Sequence, residues 1–200
     1  MEVMEAIKKR RSIRRYQDRE ISREQLQTVL EAARLAPSSS NLQSWKFKVV
    51  TDPDLRSALR EASFGQKFVE RAPVVIVGCV DFAAMEERSR RTLELLRAGA
   101  LRPNLSMVLR YLRGSGEDVE GEERALINGA INLAIAMEHM ALAAVELGLG
   151  TCWVRAFLPE KVAELLDIPS HCVPLALLTL GHPREDPEMR PRKSLNEIIL

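Results

Sequence analysis

The sequence predicts an α+β domain built in layers, and three observations carry that prediction. Uninterrupted apolar runs such as Pro73 to Val80 (PVVIVGCV) suit strands covered on both faces. Amphipathic stretches with helical spacing lie between them. The order of the two is mixed, without the regular strand–helix alternation of a doubly wound sheet. The 200 residues form one domain, 1–200, long enough to bury a core without disulfide or metal staples.

Taken in order, Val3, Met4 and Ile7 give one face of a short N-terminal helix. Ser22-Arg-Glu-Gln25 reads as a capping box, with Leu26, Val29, Leu30 and Ala33 following at helical spacing until Pro37. Ser38-Ser39-Ser40-Asn41 is a polar loop. Trp45, Phe47 and Val49 alternate with Lys46 and Lys48, the period of a half-buried strand. Asp52-Pro53 caps a helix carrying Leu55, Ala58, Leu59 and Ala62. Residues 84–112 are charged and helical in pattern, with a break at Arg102-Pro103, and Gly114 to Gly116 is a loop. Glu122 to Leu147 is a long helix ended by Gly148. Thr151 to Phe157 reads as a strand, Pro159 opens a helix bearing Val162, Leu165 and Leu166, and Val173 to Leu180 is a further apolar strand.

Composition excludes several function classes. An apolar fraction of 46% with 28% charged residues is that of an ordinary globular chain. A net charge of +1 gives no ground for a nucleic-acid or membrane partner. The first twenty residues are too charged for a signal peptide. The longest apolar stretch, Gly129 to Gly150, is interrupted by Glu138, His139 and Glu146, against a membrane span. Cys79, Cys152 and Cys172 form no CxxC pair and fit buried thiols in a reducing compartment, so the expected location is the cytoplasm.

Four segments can carry chemistry. Residues 8–19 concentrate Lys8, Lys9, Arg10, Arg11, Arg14, Arg15 and Arg19 against Asp18 alone, an excess suited to a small anion. Arginine forks bind phosphate oxygens bidentately and the Ser12 hydroxyl adds a donor, although the same string also reads as a solvated helix end. In Ala36-Pro37-Ser38-Ser39-Ser40-Asn41-Leu42-Gln43-Ser44-Trp45, Asn41 and Gln43 offer donor and acceptor together, for a heterocycle or for the loop's own backbone. Gly148-Leu149-Gly150-Thr151 lets backbone approach a flat ligand, and it is not the dinucleotide fingerprint. Arg190-Pro191-Arg192-Lys193 is a second basic group, in the tail. His139 reads as a satisfied packing histidine and Cys152 as a small apolar core residue. No Ser/His/Asp, Cys/His or HExxH pattern is present.

In this order, RRSIRRY, APSSSNLQSW, GLGTCW and GHPREDPEMRPRKSL together resemble the nitroreductase family of FMN enzymes. The resemblance implies a nitroreductase-like, three-layer α/β/α sandwich around a mixed, mainly antiparallel sheet. It implies FMN as bound cofactor and NAD(P)H as co-substrate, with hydride passing through flavin N5 to a nitroaromatic, quinone or similar small acceptor and no protein catalytic residue. Arg10, Arg11, Ser12 and Arg14 match phosphate and ribityl contacts, and Arg190 and Arg192 match a basic pair returning to that phosphate. Pro37, Ser38, Ser39 and Asn41 match a loop that reaches the flavin of the neighbouring subunit of a homodimer. Gln43 matches a position near the ring and ribityl chain, and Leu149, Gly150 and Thr151 match backbone contacts at the ring. Ser44 departs from the family, which commonly has proline there. The same fold also hosts reductive dehalogenation and flavin fragmentation, and a non-catalytic flavin-binding protein would carry the same motifs.

Overall fold

A computed structural model describes residues 1–100 and 121–200. Helix α1 (Val3–Lys9) leads into the basic segment, and α2 (Arg23–Arg34) begins at the expected capping box, with Ser22 and Gln25 bonded reciprocally. Strand β1 (Trp45–Val50) is followed by α3 (Pro53–Ala62), whose Leu55 amide donates to the Asp52 carboxylate at 2.9 Å. A short α4 (Lys67–Arg71), absent from the sequence expectation, precedes β2 (Val74–Asp81). Next come α5 (Phe82–Glu86), α6 (Arg88–Arg97), the long α7 (Glu122–Glu146), β3 (Gly150–Val154), α8 (Pro159–Leu165) and β4 (Cys172–Gly181). The expected break at Arg102-Pro103 and the loop at 114–116 lie outside the described residues.

Among the described residues four strands run β1-β2-β4-β3, every neighbouring pair antiparallel. An isolated parallel bridge joins Ser12 to Thr151 at the β3 edge. Strand alternation sends β2 side chains to two separate cores. Val74, Ile76 and Val80 pack with Val29 and Ala33 of α2 and with Leu133, Met137 and Met140 of α7. Val75, Val77 and Cys79 face Leu59 of α3, Val69 of α4 and Val162 of α8. Helices therefore cover both faces, giving the three-layer sandwich. Each fully buried Val, Leu or Ile contributes about 1.5–3 kcal/mol. At Gly78 the α7 layer comes in so closely that a Cβ would meet Met137 Sδ at 2.6 Å.

One expectation needs correction. The third strand stops at Val154 rather than Phe157, because its last ladder partner is Leu177. Beyond it the chain turns towards α3, where the Leu158 amide donates to the Ala62 carbonyl at 2.9 Å. Helix α1 forms as expected, with Val3, Met4 and Ile7 exposed and only Ala6 buried. Helix α7 is long and apolar enough to cross a membrane by length and composition. It is instead a core helix, with Leu133, Ala136, Met137, Met140, Ala141 and Ala144 buried.

Candidate functional site

The N-terminal basic segment is stitched to the start of β3. The Ile13 amide donates to the Thr151 carbonyl at 2.8 Å, extending the sheet edge by one bridge. Gly150 makes this possible, since a Cβ there would lie 2.6 Å from Ile13 Cγ1 and 2.9 Å from its Cβ. Below the seam the Thr179 hydroxyl donates to the Tyr16 oxygen, and the Tyr16 hydroxyl donates to the Ile13 carbonyl, both at 2.7 Å. Burial pushes the Tyr16 phenol far above its ordinary range, so it remains a neutral donor.

The tail returns along the other side of the same segment. The Gln17 amide donates to the His182 carbonyl and the Arg184 amide to the Arg15 carbonyl, both at 2.9 Å. The Glu185 carboxylate accepts from the amides of Arg14 at 2.6 Å and Arg15 at 3.1 Å. Arg11 closes the join, its guanidinium donating to the carbonyls of Lys8 (2.6 Å), Arg10 (2.9 Å) and Pro187 (3.1 Å). Much of the Arg11 fork is therefore engaged by backbone. Arg10 pairs with Glu138 of α7 at 3.5 Å. Arg14 is exposed, its guanidinium 5.6 Å from the centre of the Phe68 ring. Arg190 and Arg192 are exposed beyond Pro187, with Arg192 donating to the Arg190 carbonyl at 3.0 Å.

Cys152 reports the field of this corner. Burial raises its thiol pKa, while Arg14, a hydrogen bond from Ser12 and Arg10 pull it down. Buried and raised, it is a packing thiol. His139 is likewise a packing residue, its Nδ1 donating to the Ala32 carbonyl at 3.3 Å.

The Ser/Asn loop lies elsewhere. Ser40, Asn41 and Gln43 all have φ near +50°, a conformation that costs non-glycine residues about 1–2 kcal/mol each. The loop is held from outside and within. Asn132 of α7 accepts from the Ser39 amide at 3.1 Å, Arg91 of α6 donates to the Asn41 carbonyl at 3.2 Å, and Ser38 accepts from the Gln43 amide at 2.9 Å. Pairing of Trp45 with Val80 puts this loop at one end of the sheet on the β1 edge. Pairing of Thr151 with Leu180, and of Leu180 with Val74, puts the arginine seam at the other end on the β3 edge. The two are displaced by about 20 Å along the strands and about 14 Å across them.

One chain thus joins Arg10, Arg11, Ser12 and Arg14 to Leu149, Gly150, Thr151 and the start of the tail that carries Arg190 and Arg192. It does not bring Pro37, Ser38, Ser39, Asn41 and Gln43 to them. Sequence reasoning missed Asn132, Arg91, Tyr16 and Glu185 as supports. Asn132 left a signal, an amide within the apolar stretch Gly129–Met137, where it is buried.

Comparison with known proteins assigns the chain. The model of the nitroreductase family matches residues 7–182.

This chain belongs to the nitroreductase family.

Among similar proteins, a Thermus thermophilus NADH dehydrogenase is 35% identical, covering 96% of this chain and 92% of that protein. An FMN reductase [NAD(P)H] of Bacillus subtilis is 33% identical over 96% of this chain and 70% of its own length. Among solved structures, a nitroreductase family protein from Streptococcus pneumoniae superposes with a TM-score of 0.79 at 27% identity, covering 100% of this chain and 99% of the other. The Vibrio harveyi NADPH:FMN oxidoreductase complexed with NAD+ gives 0.77 at 28% identity, covering 99% and 76%. The donor set at the seam fits the phosphate end of a flavin mononucleotide. Against the burial that raises the Cys152 thiol, the charges of Arg14 and Arg10 and a hydrogen bond from Ser12 pull it down, while the side-chain space at Gly150 is filled by Ile13.

Proposed function

We propose that this nitroreductase-family chain is an FMN-dependent oxidoreductase that takes hydride from NAD(P)H and reduces a nitroaromatic, quinone or similar small acceptor. The observation that carries the proposal is the seam itself, where three segments distant in sequence are hydrogen-bonded into one cationic corner. Bound FMN supplies the hydride chemistry, and the protein supplies binding, orientation and electrostatics. Arg14, Arg190 and Arg192 neutralise the phosphate, Ser12 donates its hydroxyl beside them, and Arg11 and Glu185 fix the backbone on which they ride. The backbone at Leu149, Gly150 and Thr151 would border the ring, where fixed donors would favour negative charge on the reduced cofactor.

The active unit is a homodimer with its two sites at the subunit interface. The Ser/Asn loop sits at the far corner from the arginines of its own chain, farther than one mononucleotide reaches, so residues 37–43 serve the site of a second copy. Exposed apolar side chains support this reading. Val3, Met4 and Ile7 on α1, Ile127 and Ile131 on α7, and Leu195, Ile198 and Ile199 in the tail are all exposed and available to a second copy. Three unpaired, buried thiols suit a reducing cytoplasm. The test is direct: purified protein should be yellow, release FMN on heating, and oxidise NADH or NADPH when a nitroaromatic is added. A colourless protein that takes up no added FMN contradicts the proposal.

A further inference from the structure

Asp81, His171 and Cys172 form a group of metal-ligating side chains away from the arginine seam. One ligand atom from each, an imidazole nitrogen, a thiol sulfur and a carboxylate oxygen, lies within 4.8 Å of the other two. Asp81 closes β2 and pairs with Cys172, the first residue of β4. The His171 carbonyl accepts from the Phe82 amide at 2.9 Å and the Cys172 amide donates to Pro169 at 2.8 Å, so backbone fixes all three positions. Asp81 and Cys172 are buried, while His171 is exposed and free to turn. A cavity of about 240 Å³ opens beside them, lined by His171, Cys172 and Cys79 as well as Lys46.

We propose that Asp81, His171 and Cys172 bind a thiophilic divalent cation of the zinc type, with a fourth coordination position open to the cavity. Mixed sulfur, nitrogen and oxygen donors are the ligand set of zinc and exclude magnesium or calcium, which take oxygen alone. Bonds of about 2.0–2.3 Å put tetrahedral ligands about 3.5 Å apart, so closure needs only side-chain rotation, chiefly of His171. Lys46 lies 3.7 Å from the Asp81 carboxylate and supplies its counter-charge without metal. Its side chain is largely exposed and swings to solvent as the cation takes that role. On binding, the Cys172 thiol gives its proton to solvent and becomes a thiolate. The cation would tie the end of β2 to the start of β4 next to the Ser/Asn loop, since the Asp81 amide donates to the Ser44 carbonyl at 3.1 Å.

The experiment is titration of chelator-treated full-length protein with Co(II), followed by displacement with Zn(II). One equivalent of Co(II) should produce thiolate-to-metal charge-transfer absorption and the d–d bands of a tetrahedral site, both bleached by one equivalent of zinc. Zinc should also raise the melting temperature of the protein. Cys172→Ser should abolish the charge-transfer band, Cys152→Ser should keep it, and His171→Ala, at an exposed position, should weaken zinc binding at least about 10-fold. Absence of the band in the wild-type protein, or its survival in Cys172→Ser, overturns the proposal.

Discussion

Ile13 and Thr151 share a 2.8 Å backbone hydrogen bond that only a glycine at position 150 permits. Gly150→Ala would push its new methyl into the branched carbon of Ile13, which has no flexible end to withdraw. The expected cost is about 1–3 kcal/mol of stability, read as a lower urea midpoint, together with reduced FMN content. An unchanged midpoint with full FMN content would show that the seam is slack.

Arg14→Ala and Arg192→Ala should each weaken FMN binding by about 1.5–3 kcal/mol, the value of a lost charge-assisted hydrogen bond. Both side chains are exposed, so stability should hardly change. Arg11→Ala should behave differently. Its guanidinium bonds three backbone carbonyls, and its loss should lower the urea midpoint as well as the affinity. Equilibrium dialysis and denaturation on the same samples separate the two patterns.

Much of this fold was legible locally. The capping box of α2, the Asp52-Pro53 start of α3 and the apolar run of β2 are each encoded within a few residues, and all form as read. The four motifs were legible too, as residue types. Their partnership was not. Arg11 serving the carbonyl of Pro187, or Glu185 holding the amides of Arg14 and Arg15, depends on contacts across 170 or more positions that no periodicity announces. Helix α4 is one turn set by its neighbours, and helical spacing alone does not say that Val3, Met4 and Ile7 of α1 are exposed.

Asn132→Ala removes the side chain that holds the Ser39 amide. The loop would then lose a support for its left-handed residues. Stability should fall by about 1–3 kcal/mol for an unpaired polar group, and, on the proposal that the loop serves the flavin ring of a second copy, turnover should fall further than FMN affinity. Equal activity per bound FMN in variant and wild type would contradict that division.

His182 is buried with Nε2 unpartnered, and burial first, then Arg19, lowers its imidazole pKa against a backbone bond to Glu20. A basic group lowered by folding resists protonation in the native state. Above its ordinary value of about 6.5 it contributes nothing to the pH dependence. Below that value the unfolded chain binds the proton first, so stability falls with pH until the lower native value is reached. Urea midpoints measured between pH 8 and pH 5 should fall less steeply in His182→Gln than in the wild type; parallel curves would show that His182 does not couple to folding.

On the proposed function, one site draws its arginine seam from one chain and its Ser/Asn loop from another. Hybrid dimers test it most directly. One differently tagged chain would carry Arg14→Ala with Arg192→Ala, and the other Asn41→Ala with Gln43→Ala. Each parent homodimer should be crippled at both sites, whereas the hybrid should contain one fully wild-type site and recover NAD(P)H-dependent nitroaromatic reduction. A hybrid no more active than its parents would contradict the account.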